Sequence, residues 1–157
     1  MFSVEELLAI STLPGLGPVR IRTLVSRYPT AAALRRAPMR ELASLEGFTE
    51  RLAVETLRFL GVGCAAWDSA RRHAERQLAA LRTVGGRVVT YWDAEYPEPL
   101  KTIYDPPPLL FLRGAWTPGD AGSIAVVGTR APSAYGVSTA ERWSSLIPSA
   151  ERTDVPP

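Results

Sequence analysis

Apolar positions in the first sixty residues recur at helical spacing, not at the alternation of strands. Val4–Leu13 and Pro18–Arg27 read as two helices around the tight turn Leu13-Pro14-Gly15-Leu16-Gly17. Ser3 stands where an N-cap belongs, Glu5 and Glu6 fall in the acid-favouring first turn, and Pro18 suits the first turn of the second helix. Leu13, Leu16, Ile21 and Leu24 supply a shared apolar side. Sliding the chain by 32 residues gives a second copy, with Leu45-x-Gly47-Phe48 on Leu13-x-Gly15-Leu16 and Ala53 on Ile21. Two such hairpins are expected to pack as one small helical domain over residues 1–63.

Beyond Gly61-Val62-Gly63, Trp67–Val84 reads as a connecting helix within residues 64–86, with Ala70, Ala74, Gln77, Leu78 and Leu81 as its apolar stripe. Gly85-Gly86 ends it, and Arg87–Tyr91 reads as a strand. Pro97, Pro99 and Pro106 to Pro108 are expected to prevent a regular helix and impose extended connections. Leu109–Leu112 follows as a short strand. The apolar run Ile124–Val127 predicts a strand buried on both faces, in one sheet with Arg87–Tyr91. Gly128 is expected to end that strand where a side chain would crowd the turn. After Pro132 and Gly136, the positions Val137, Ala140, Ser144 and Ile147 fall near helical spacing. The fold class expected is α+β to α/β: the helical domain, the connecting helix, an incomplete α/β domain over 87–147 and an irregular tail over 148–157.

Composition narrows the chemistry. Apolar and charged fractions of 46% and 22% are those of an ordinary globular chain. Cys64 and His73 are the sole cysteine and histidine, which excludes an internal disulfide, a multi-cysteine zinc site and a two-histidine metal motif. No metal and no cofactor is expected. No apolar run reaches about 18 residues, and MFSVEELLAI carries two glutamates where a secretory signal is positive, so a cytoplasmic chain without membrane insertion is expected. The net charge is only +2, but residues 61–90 set Arg71, Arg72, Arg76, Arg82 and Arg87 against Asp68 and Glu75 alone. Such a balance permits nucleic-acid binding without demanding it. Asp93, Glu95, Glu98 and Asp105 lie among aromatics and prolines without ligand spacing, and a hydrogen-bonded structural role is expected for them.

Two stretches suggest phosphate binding. Strand, glycine turn and helix over 124–146 form half of a βαβ unit, in which the helix N-terminus offers free N–H groups and Arg130 adds a fork of donors. The Leu13–Gly17 turn resembles the helix-hairpin-helix DNA-binding motif, whose Gly-x-Gly lets backbone N–H groups approach a phosphate. Here those residues are Gly15 and Gly17, with Arg20 and Arg22 adding charge. The second copy, with Thr49 for the second glycine and Glu46 and Glu50 at the turn, is the poorer site. A packing or protein-interaction role for both hairpins stays open beside duplex contact.

The order of hairpins, Tyr96-Pro97…Leu100…Ile103…Asp105-Pro106-Pro107…Leu109…Gly114, then Val126-Val127-Gly128-Thr129-Arg130…Tyr135-Gly136, resembles the DNA processing protein A (DprA/Smf) family over roughly residues 5–146. The resemblance implies a DNA-binding mediator of natural transformation and not an enzyme. In that family a Rossmann-like domain binds incoming single-stranded DNA and the protein loads the recombinase RecA onto it. It places Gly128, Thr129, Arg130, Tyr135 and Gly136 in the pocket for strand phosphates, and makes the helical part a SAM-like domain. After Leu146 the family continues into a second parallel strand and a glycine-rich segment that complete the pocket and the homodimer surface. Ile147–Pro157 offers neither, so a truncated or frameshifted member, or a deliberate N-terminal piece, is expected. Two alternatives stay open: a nucleotide-phosphate-binding enzyme of phosphoribohydrolase type, which lacks its further glycine-rich loop and glutamate here, and a protein-interaction remnant.

Overall fold

Side-chain caps set the helix boundaries as much as apolar spacing does. In a computed structural model that describes residues 1–116 and 127–146, α1 (Val4–Ile10) opens on a capping box. The Ser3 Oγ accepts the Glu6 N–H at 3.2 Å and the Glu6 carboxylate accepts the Ser3 N–H at 3.0 Å. The helix stops at Ile10, not at Leu13. The Ser11 and Thr12 hydroxyls turn back onto the carbonyls of Leu7 and Ala9, each at 2.7 Å, and so compete with continuation of the helix.

Helix α2 (Pro18–Arg27) is as expected, with Pro18 at its first position. Two five-residue helices follow, α3 (Ala31–Arg35), capped by Thr30, and α4 (Met39–Ala43), which starts after Pro38. Helix α5 (Glu50–Phe59) is capped by the Thr49 hydroxyl. Leu24, Leu34, Leu42 and Leu60 are fully buried in one core with Leu7 and Ile10. The duplicated hairpins are equivalent in backbone and in burial. Gly15 and Gly47 have φ of 87° and 78°, and Leu16 and Phe48, like Ile21 and Ala53, are buried at matching positions.

Helix α6 (Ala65–Thr83) packs along α1, where Ala74 and Leu78 meet Leu8 and Val4. Trp67 anchors its start, and Gln77 is exposed, outside the stripe expected of it, because the buried line runs Trp67, Ala74, Leu78. After the left-handed Gly85, strand β1 (Gly86–Thr90) pairs antiparallel with β2 (Leu109–Arg113), Val88 opposite Phe111 and Thr90 opposite Leu109. Val88 and Leu109 pack on the α1–α6 cluster. Between the strands lies one helical turn, α7 (Glu98–Lys101). The prolines were expected to prevent a regular helix, and this single turn forms because Pro97 is the N-cap and Pro99 sits in the first turn, where a missing N–H costs nothing.

Residues Met1–Ala115 form one compact unit and Trp116–Pro157 a second. The first runs across the boundaries expected near residues 63 and 86. In the second, α8 (Ala134–Leu146) begins two residues before Gly136. Residues 124–126 of the expected strand, Ile147 and the expected tail lie outside the described residues, and Val127 is exposed and not in a strand. The described residues are helices plus one two-stranded antiparallel sheet, an α+β arrangement. No helix among them is long and apolar enough to cross a membrane.

Tyr96, almost fully buried, donates from its hydroxyl to the Pro107 carbonyl at 2.8 Å. Burial pushes its phenol above the ordinary value of 10.0, partly offset by the Arg22 charge. The folded state therefore holds this proton more tightly than the unfolded chain. The stability it contributes is complete below about pH 10 and is lost as pH rises from there through the raised folded value. We expect the urea midpoint to fall above about pH 10, and Tyr96→Phe to flatten that fall. An identical alkaline slope in the variant would show that Tyr96 does not carry it.

Candidate nucleic-acid interface

The two stretches singled out in the sequence lie in different units. In the first, the hairpin turns differ at the start of the helix that follows each. Gly17, the N-cap of α2, makes no side-chain cap bond, and a Cβ there would meet nothing within 4 Å. The first turn of α2 is thus left with uncapped N–H groups and open space beside them. Thr49, at the same place before α5, fills that role with its own hydroxyl, bonded to the Leu52 N–H at 3.2 Å. Gly15 is required for its left-handed φ, and a Cβ there would also press on Leu52 Cδ1 at 3.2 Å.

Neither arginine assigned to this turn points its donors outward. The Arg20 Nε donates to the Gly47 carbonyl at 2.6 Å and its Nη1 to the Gly15 carbonyl at 2.8 Å. One guanidinium thus staples the two hairpin turns together. The Arg22 Nη1 donates to the Pro106 carbonyl and pairs with Asp105 at 3.5 Å, while its guanidinium lies 5.4 Å from the centre of the Tyr91 ring. Arg22 therefore joins α2 to the Asp105-Pro106-Pro107 segment.

The acidic residues of that region are also accounted for. Asp93 Oδ2 accepts the Thr90 N–H at 2.7 Å, Glu95 pairs with Arg87, and Glu98 accepts from Lys101 at 2.7 Å. Among the described residues no cluster of His, Cys, Asp and Glu is placed to hold a metal ion.

In the second unit, the Gly128–Arg130 turn leads into α8. Ser133 is the N-cap: its Oγ accepts the Gly136 N–H at 3.2 Å and its carbonyl accepts the Val137 N–H at 3.0 Å. The N–H groups of Ala134 and Tyr135 keep no bond among the described residues, which leaves two donors at the positive end of a 13-residue helix. An open groove of about 610 Å3 runs beside them, lined by Gly128, Thr129, Ser133, Gly136, Val137 and Glu141. Arg130 and Tyr135 are exposed and lie outside its lining.

Gly128 does not relieve crowding, contrary to expectation. A Cβ there would meet nothing within 4 Å, so its smallness widens the approach to the groove and does not release a clash. The sequence reading passed over Ser133 and Glu141. The Ser133-x-x-Gly136 spacing before a helical run signalled the cap, but nothing in the pattern signalled that Glu141, two turns into α8, faces the same groove.

A family model described as DNA recombination-mediator protein A matches residues 87–153. That span contains Tyr96-Pro97, Asp105-Pro106-Pro107 and the Gly128–Arg130 turn. A curated relative, the DNA processing protein DprA of Bacillus subtilis (strain 168), is 47% identical over 62 residues. Those residues are 39% of this chain and 21% of that protein, so the chain matches about a fifth of the relative's length. No solved structure matches. Over residues 87–153 the chain is similar to the DNA recombination-mediator protein A family.

Proposed function

We propose that this chain takes part in DNA recombination as a binder of single-stranded DNA, with the Gly128–Arg130 turn and the first turn of α8 as a phosphate contact. The observation that carries this is the family match over residues 87–153, which includes that turn. The unbonded N–H groups of Ala134 and Tyr135 beside an open groove support it, since a phosphate oxygen satisfies such donors directly. Arg130, exposed between the lining residues Thr129 and Ala131 but itself outside the lining, adds charge that meets a strand's phosphates from outside, while Glu141 disfavours an anion seated deep in the groove. The contact is then with a passing backbone and not with an enclosed nucleotide. That geometry suits a DNA-binding mediator better than a phosphoribohydrolase.

In this proposal residues 1–63 correspond to the family's SAM-like domain and the chain beyond residue 87 to its Rossmann-like domain. In a full-length member, delivery of the strand to RecA and a homodimer complete the function, which takes place in the cytoplasm. The test is fluorescence anisotropy of the 157-residue chain with labelled oligonucleotides of several sequences across a salt series. Arg130→Ala is expected to weaken binding about fivefold for every sequence and to lower the salt slope by about 0.7, the share of one single-strand phosphate contact. Unchanged affinity and slope would remove Arg130 from the interface.

A further inference from the structure

Several arginines of the first unit have no acidic partner among the described residues, Arg36, Arg40 and Arg58 among them, and two more, Arg72 and Arg76, stand together on α6. Arg20, Arg22 and Arg35 are bonded to backbone carbonyls, and Arg27, Arg51 and Arg87 to carboxylates. Along α6 the charges are sorted by face. At about 100° per residue, Asp68, Arg71, Glu75 and Arg82 share one flank, where Arg71 and Glu75 pair at 3.9 Å. Ser69, Arg72, His73 and Arg76 share the other flank, which holds no carboxylate. Arg72 and Arg76, one turn apart, have no ion-pair partner among the described residues, although Asp68 stands one turn before Arg72.

This basic flank borders an open groove of about 630 Å3, whose lining includes Leu13, Pro14, Phe59, Ala70, His73 and Arg76, with Arg72 one turn back on the same flank and outside the lining. Leu13, Phe59 and Ala70 are half-buried and give it an apolar floor, and the Phe59 ring is fixed by edge contact with Trp67, 5.5 Å away at 87°. An aromatic and aliphatic floor beside a cationic rim is the pairing that an unstacked nucleotide satisfies, its base on the floor and its phosphate on the rim. A duplex keeps its base faces stacked inside and leaves such a floor uncovered.

We propose that the groove between α6 and the Thr12–Pro14 turn is a second contact for single-stranded DNA, with Arg72 and Arg76 on phosphates and Phe59 under a base. It lies outside the span matched by the family model, and it rests on the function proposed above only for the identity of the ligand. The test titrates the 157-residue chain with a labelled oligothymidine, a duplex of equal length and polyglutamate. Arg72→Ala/Arg76→Ala is expected to weaken oligothymidine binding about tenfold and to lower the salt slope by about 1.4, two single-strand contacts. The charge-matched control Arg36→Ala/Arg40→Ala, also exposed but away from this groove, is expected to change neither. Phe59→Leu, which keeps an apolar side chain in the core, is expected to weaken binding several-fold at unchanged salt slope, the mark of lost stacking.

Wild-type affinity in the α6 double variant overturns the proposal, whatever Arg130→Ala does in the parallel series. So does an equal loss with the control pair, or an equal loss for duplex or polyglutamate. Weakening by the α6 variant with Arg130→Ala silent supports this groove and sinks the Gly128–Arg130 contact. A wild-type chain that binds no oligothymidine sinks both.

Discussion

Leu34→Ala is expected to lower the unfolding free energy by about 3 kcal/mol, as much as the same change at Leu24. Both side chains are fully buried in one core, although Leu24 belongs to the ten-residue α2 and Leu34 to the five-residue α3. The cost has two parts, the lost transfer of the removed methyl groups and the cavity left where surrounding helices cannot collapse. Leu34 is held by α3, whose ends are tied by the Thr30 hydroxyl at one side and by the Arg35 Nε bond to the Leu60 carbonyl, 2.5 Å, at the other. Those ties limit relaxation, so most of the cavity persists. A urea titration reads the effect as a shift in midpoint at constant slope. A loss under about 1 kcal/mol would mean that α3 repacks and is not an integral part of the core.

Leu34 also shows where sequence reading reaches its limit. Five residues hold too few repeats for a helical period to be seen, so α3 and α4 escaped notice although Leu34 and Leu42 are among the best-buried residues. The duplicated hairpins were legible because their signal is local: a left-handed glycine, an apolar residue after it, a helix beyond. Strands β1 and β2 were legible as β-prone runs between prolines and glycines, but their antiparallel pairing is a long-range fact. Gln77 fell off the predicted stripe because Trp67, nearer the start of α6, sets the buried line. The candidate site divides in the same way. A glycine turn leading into a helix, with Gly128, Thr129 and Gly136, was readable, and these three do line one groove. Where a long side chain spends its donors was not readable. Arg20 reaches a carbonyl 27 residues away and Arg22 one 84 residues away, and no local rule ranks those partners above a phosphate. For the same reason the arginines of α6 permit nucleic-acid binding in the sequence without demanding it, since the groove beside them exists only once the Thr12–Pro14 turn is folded against α6.

Arg22→Ala is the change that separates a DNA contact from a structural latch, and its expected loss is about 2 kcal/mol of stability. The Arg22 side chain is only 16% exposed. Its removal leaves the Pro106 carbonyl without its charged donor, ends the cation–π contact with Tyr91 and frees Asp105. The half-exposed ion pair contributes least, because water screens it. Tyr91 in turn meets the Tyr96 ring at 5.4 Å, and the Tyr96 hydroxyl holds the Pro107 carbonyl, so one connected set joins α2 to both prolines. The Tyr96-Pro97 and Asp105-Pro106-Pro107 residues on which the family resemblance rests are thereby explained as the far half of a latch. Arg22→Lys is expected to recover less than half of the loss, since an ammonium lacks the planar fork and stacks poorly on tyrosine. Urea midpoints measure the stability, and oligothymidine titration well below the melting range measures binding. The latch predicts a fall in the first with the second unchanged. Weakened binding with stability intact would instead return Arg22 to the nucleic-acid interface and leave the Pro106 and Asp105 contacts without energetic weight.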